Sequence, residues 1–212
     1  MEETYEFAQF WPAVGLRYKD SSMKLLVLGE SHYRWETMPE DRRLTTRFAI
    51  KAKEDYPFWR NIAGLFDRKS DFWDEVIFYN FVQEYVGIRP RQRPKRSMFE
   101  SDAAVKGFRE ILRRHAPSRI LVIGKANWTM LPGDQLFPGK TPPRVESRFP
   151  LGEVFSRGIL GSDRLACWYP TTDDEYALCA AIFHPGYPKG FHLAETKEIV
   201  AILMKPYWRP QI

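Results

Sequence analysis

The chain has 212 residues, a formal net charge of +5, 44% hydrophobic and 15% aromatic residues. That length and apolar content suit one domain with a sizeable core and exclude a low-complexity chain. The mild basic excess permits a polyanionic partner without requiring one, and no apolar run approaches the roughly 18 residues of a membrane span.

The first segment, "MEETYEFAQF", is acidic and aromatic, unlike a signal peptide. A single cytoplasmic, monomeric domain over residues 1–212 is expected, nucleoid-associated if bacterial. The first apolar run, "KLLVLG" (24–29), reads as a buried strand. "TTRFAIKAKED" and "FWRNIAGLFDRK" read as helices after it. "EVIFYN" (75–80) is a second strand, followed by the basic loop "GIRPRQRPKRS" (87–97), whose prolines oppose regular structure. "SDAAVKGFREILRRHAP" (101–117) puts Val105, Phe108, Ile111 and Leu112 on one helical face, with Asp102 as a candidate cap and Pro117 as the stop.

"RILVIG" (119–124) and "ALCAAIFH" (177–184) are the third and fourth strands, and "RLACWYP" (164–170) is a candidate for another. Between them lies a Gly- and Pro-rich stretch, 131–162, of a length usually functional or disordered. "LAETKEIVAILMKPYW" (193–208) reads as a C-terminal helix. Cys167 and Cys179 match neither a metal site nor a disulfide framework. Continuous apolar strands alternating with helices predict an α/β fold. The expectation is a three-layer α/β/α sandwich around a central, mainly parallel four-stranded sheet. Ligands of such sheets collect at the carboxyl ends of the strands.

Three of those ends are polar. The first strand runs into Gly29-Glu30-Ser31-His32-Tyr33-Arg34, the second ends at Asn80, and the fourth runs into "FHPGYPKGFH" with His184. A carboxylate can orient or deprotonate a water, an Asn side chain can read an amide edge, and a His can donate to an oxygen that becomes negative. Phe58 or Tyr33 can stack on a flat ring. Each residue also has an ordinary reading. Glu30 can pair with Arg34 or Lys24, Asn80 can satisfy loop backbone, His184 can be structural, and Phe58 and Trp59 can be core. Their joint placement at strand ends is the argument for a site.

The ordered set "LGESHY", "YPFW", "FYNFVQEYVG", "ILVIGKAN" and "IFHPGYPKG" resembles the motifs of the uracil-DNA glycosylase superfamily from about residue 23 to 205. The resemblance implies a DNA-base N-glycosylase that flips a uracil-like or modified base out of the strand. It implies Glu30, Ser31 and His184 as catalytic residues, and Tyr33, Phe58 and Asn80 as base-binding ones. Arg89, Arg91, Arg93, Lys95, Arg96, Tyr187 and Lys189 would face DNA, with Lys125 and Lys140 holding phosphates as well. Ser31 stands where one branch has its water-activating Asp, and His32 replaces the usual Pro. Two cysteines cannot supply the four ligands of the iron–sulfur cluster of the other branch, so no cofactor is expected.

Two alternatives remain open. One is a non-catalytic DNA or modified-base binding protein on the same fold. The other is an SGNH-like serine hydrolase, suggested by "GESH" and His184-Pro185, although Ala181 stands where that family has an Asp.

Overall fold

The computed structural model describes residues 4–52, 54–67, 71–88, 92–132, 166–172, 175–186 and 191–205. The stretch 131–162 beyond Pro132, and Arg89, Arg91, Lys140, Tyr187 and Lys189, lie outside them. The strands are β1 (Ala13–Val14), β2 (Leu25–Gly29), β3 (Ile77–Asn80), β4 (Arg119–Ile123), β5 (Ala166–Pro170) and β6 (Tyr176–Ile182). The helices are α1 (Thr45–Ala52), α2 (Pro57–Gly64), α3 (Phe72–Glu75), α4 (Arg96–Phe99), α5 (Asp102–His115), α6 (Lys125–Thr129) and α7 (Leu193–Leu203).

The sheet has six strands in the order β1-β3-β2-β4-β6-β5. The expected four apolar runs form its centre, β3-β2-β4-β6, and all are parallel. The sheet exceeds the expected four strands because β1 and β5 pair antiparallel at its edges; β5 is the candidate strand 164–170, and β1 is the one without a signal in the sequence. The two residues of β1 are too few to show a period in sequence. The backbone register of β5 and β6 sets Cys167 opposite Cys179.

Every residue of β2, β3 and β6 is buried, which explains why these strands read as continuous apolar runs rather than alternating ones. Local boundaries follow local chemistry. Glu75, expected in the second strand, instead ends α3. Ser101, not Asp102, caps α5: its hydroxyl accepts from the Ala104 N–H. Phe108, Ile111 and Leu112 are fully buried on the core face of α5, with Val105 half-buried. The helix stops at Ala116, which adopts a left-handed conformation with φ 40° and returns its N–H to the Leu112 carbonyl. Arg113, Arg114 and His115 sit in its last turn, where cations complement the helix dipole.

The N-terminal segment is fastened to this frame. The Glu110 carboxylate accepts the backbone N–H groups of Glu6, Phe7 and Ala8. Gln83 is fully buried, accepts from the Phe10 N–H at 2.8 Å and donates to the Asn80 carbonyl at 2.6 Å.

Connectivity places the site. From β2 the chain crosses to β3 on one side, then returns to β4 on the other. Strand order therefore reverses at β2, and a crevice opens where successive connections diverge. The residues beyond that point are Glu30 to Arg34.

Candidate functional site

Beyond β2 and β3 the two chains continue side by side as parallel extensions. Gly29 and Glu30 carbonyls accept the Phe81 and Val82 N–H groups at 3.0 and 2.9 Å. Further out the His32 carbonyl accepts from Val86, and Arg34 N–H donates to Gly87. The reactive loop is therefore held on its outer side by main chain. On its other side Asn127 of α6 donates both amide hydrogens, to the Leu28 and Gly29 carbonyls at 3.1 and 3.0 Å. Asn127 is fully buried. Nothing local to "ILVIGKAN" assigns Asn127 a role, because no spacing shows that a helix after β4 reaches back to the end of β2.

His32 is buried between Phe10 and the sheet. Its ring lies 4.3 Å from that of Phe10, and Asn80 Nδ2 is 3.1 Å from its Nε2. An amide nitrogen only donates, so Nε2 is the acceptor and the neutral ring carries its proton on Nδ1. Burial depresses its pKa to about 3, so it stays uncharged at ordinary pH. His32 orients Asn80. The Asn80 oxygen lies over Gly29, where a Cβ would stand 2.1 Å from it, so only a glycine at 29 leaves the amide this position. Asn80 keeps slight exposure, with its oxygen and second N–H uncommitted among the described residues.

His184 follows β6. Gly186 N–H donates to its Nδ1 at 3.0 Å, so the neutral ring bears its proton on Nε2. Burial, and secondly the charge of Arg93, lowers its pKa to about 4. The result is a neutral imidazole with an N–H donor. Phe58 of α2 stacks on it at 5.1 Å with planes 29° apart. The same Phe58 ring meets Phe78 of β3 edge-on at 6.2 Å. Phe58 thus bridges ends of the sheet that are three strand positions apart.

Glu30 does not pair with Arg34 or Lys24. It pairs with Arg93, Nη1 to Oε1 at 3.2 Å, and its side chain is 9% exposed against 67% for Arg93. Arg93 also lies near enough to influence His184 and Tyr33. It links Glu30 electrostatically to His184 and Tyr33 while its own side chain stays largely exposed. Arg96 pairs with Glu100 on α4 at 2.6 Å, and Lys95 precedes that helix, exposed. Tyr33 donates its hydroxyl to the Gln92 carbonyl at 3.2 Å; burial first, then Glu30, raises its pKa. The Ser31 hydroxyl is buried, has no partner of good hydrogen-bond geometry among the described residues, and lies close enough to the Tyr33 hydroxyl to pull that group's pKa down. It makes no bond to His184, whose Nδ1 is already taken.

Glu30, Ser31, Tyr33 and Asn80 therefore share one strand edge, and Arg93 and Phe58 connect them to His184. Lys125 opens α6 close by in the chain, its side chain outside the described residues. No family model matches the sequence, and no curated protein matches it. No helix among the described residues is long and apolar enough to cross a membrane.

Proposed function

We propose that the protein hydrolyses, or at least grips, the N-glycosidic unit of a modified base in DNA. The observation that carries the reading is the state of His184. A neutral imidazole, its proton fixed on Nε2 by the Gly186 N–H, stacks on Phe58 at the rim shared with Glu30 and Asn80. Such a donor stabilises negative charge that grows on an oxygen of a departing base, and it does so without giving up its proton.

In this reading a nucleotide is flipped out of the strand, and unstacking is offset by contacts in the site. Asn80, oriented by His32, reads the polar edge of the base, and Phe58 or Tyr33 stacks against it. The bond between the sugar C1′ and the base nitrogen breaks, the electron pair leaves with the base, and His184 Nε2–H stabilises that anion. Water adds to C1′; its proton passes through Glu30 and finally to the base. Ser31 holds that water. The substrate displaces Arg93 from Glu30 toward a phosphate. The three-layer arrangement around the four parallel strands, and the phosphate-facing roles of Lys95, Arg96, Tyr187 and Lys189, belong to the same reading.

The test is incubation with duplex and single-stranded oligonucleotides carrying uracil, hypoxanthine or hydroxymethylpyrimidines, followed by alkaline cleavage of abasic sites. Product that disappears in His184→Ala and Asn80→Ala supports the reading. Absence of product on every base, with no DNA binding at low salt, removes it. A second reading, recognition without chemistry, is favoured by Ser31 in place of a carboxylate and by Arg93 already seated on Glu30. It expects tight, Asn80-dependent binding with no product.

A further inference from the structure

A second recess lies beyond the reactive loop. It is lined by Arg34, Met38, Pro39, Glu40, Arg42 and Tyr85, and its volume is about 270 Å³. That is slightly below the usual range for a whole drug-sized ligand, so it suits a small charged group with a short attachment.

Two guanidinium groups converge there on one ring. The Cζ of Arg34 lies 6.0 Å from the Tyr85 centroid, and that of Arg42 lies 5.7 Å from it. Neither arginine has an ion pair among the described residues, and Glu40 on the same wall pairs with neither. Two cations against one carboxylate leave the recess with a net positive charge, which an anion binding between the arginines balances.

The wall is ordered before any ligand arrives. Arg42 donates to Gln9 Oε1 at 2.6 Å and lies over the Phe10 ring at 5.6 Å. Tyr85 meets Phe10 edge-on at 4.8 Å, lies 3.4 Å from the Thr45 hydroxyl, and pairs by its backbone with His32. A pre-ordered guanidinium loses less freedom on binding, and its planar fork matches two oxygens of a phosphate.

We infer that this Arg34–Arg42–Tyr85 recess is a phosphate-binding site, separate from the His184 rim. Its ligand is a phosphate ester, carried either on a nucleic-acid strand or on a free nucleotide. Tyr85 supplies the apolar floor for the attached sugar or base, and Glu40 limits affinity and selects against more highly charged groups. The inference does not depend on base cleavage, because phosphate binding is read directly.

The experiment measures binding of three probes to the full chain: pyrophosphate, a deoxynucleoside monophosphate, and a short fluorescent oligothymidylate. Wild type is compared with Arg34→Gln, Arg42→Gln and Glu40→Gln, each checked by thermal melting. Arg34 is the cleaner position, being exposed, with its guanidinium over the Tyr85 ring and making no side-chain hydrogen bond or ion pair among the described residues. Either arginine variant is expected to weaken binding about tenfold and to lower the salt slope by about one. Glu40→Gln should tighten it severalfold by removing a repelling charge. Arginine-dependent binding of the monophosphate identifies a free nucleotide; dependence seen only with the oligomer identifies a strand. If Arg34→Gln and Arg42→Gln leave affinity and salt slope unchanged for all three probes in folded protein, the site is overturned.

Discussion

Gly29→Ala is the sharpest perturbation available. A Cβ at this position would stand 2.1 Å from Asn80 Oδ1 and 2.7 Å from Phe78 Cζ. Neither neighbour can retreat at little cost. Phe78 is 2% exposed within the sheet, and the Asn80 amide is tied to buried His32 at 3.1 Å. Overpacking a rigid interior costs about 1–3 kcal/mol. Swinging Asn80 away breaks its bond and strands a buried polar atom, a further 1–3 kcal/mol or so. In a chain of this size the sum lowers the melting temperature by roughly 5–20 °C. Gly64→Ala, at the end of α2 with nothing within 4 Å of the added carbon, is the matched control. It should be neutral or stabilising by about 0.5–1 kcal/mol. Calorimetry reads both, and the Asn80→Ser background should recover part of the Gly29→Ala loss. A Gly29→Ala protein that melts within a degree or two of wild type would show that the amide is not held over Gly29, and the base-reading role of Asn80 would go with it.

Other outcomes follow from the same geometry. His184, with a folded pKa near 4 against 6.5 for a free imidazole, is neutral when folded but takes up a proton when unfolded below pH 6.5. Its contribution is therefore fully present above about pH 6.5 and is lost as pH falls toward 4, which proton-detected titration of the imidazole and melting against pH both measure. Arg93→Gln should raise the His184 pKa, because it removes the second of the two causes that depress it, and should cost about 1–3 kcal/mol of stability because the largely buried Glu30 carboxylate loses its partner. Asn127→Ala should cost about 1–3 kcal/mol by removing two hydrogen bonds, although the Gly29 carbonyl keeps the Phe81 N–H as donor, and should speed amide exchange in the loop after β2, observed by mass spectrometry. Ala116→Gly should stabilise by about 0.5–1 kcal/mol, since glycine holds φ 40° without a Cβ penalty, and a denaturant midpoint reads it.

How much of this was legible in the chain differs from element to element. Leu25–Gly29, Ile77–Asn80, Arg119–Ile123 and Tyr176–Ile182 were found within two residues, because strands buried on both faces must be apolar throughout. The core face of α5 was equally plain, because 3.6-residue spacing is a local property. Its cap was misplaced by one residue, since Ser101 and Asp102 are both cap formers and only the folded backbone shows which hydroxyl or carboxylate meets the third N–H. At the site, Glu30, Asn80 and His184 could be singled out because each lies at the end of a core strand or within two residues beyond it. Arg93 was expected to face DNA with the other cations of its loop, and no pattern in that run marks the one that reaches Glu30.

The amino-acid sequence by itself determined the parallel centre of the sheet, its helices and the polar groups that end its strands, since burial and periodicity act over a few neighbouring residues. Tertiary structure alone decided the edge strand β1 and the antiparallel seat of β5, the Asn127 clamp, the seat of Arg93, the protonated nitrogens of His32 and His184, and the paired arginines at Tyr85. Each of these depends on a partner brought near by chain crossovers, and no local spacing encodes which partner that will be.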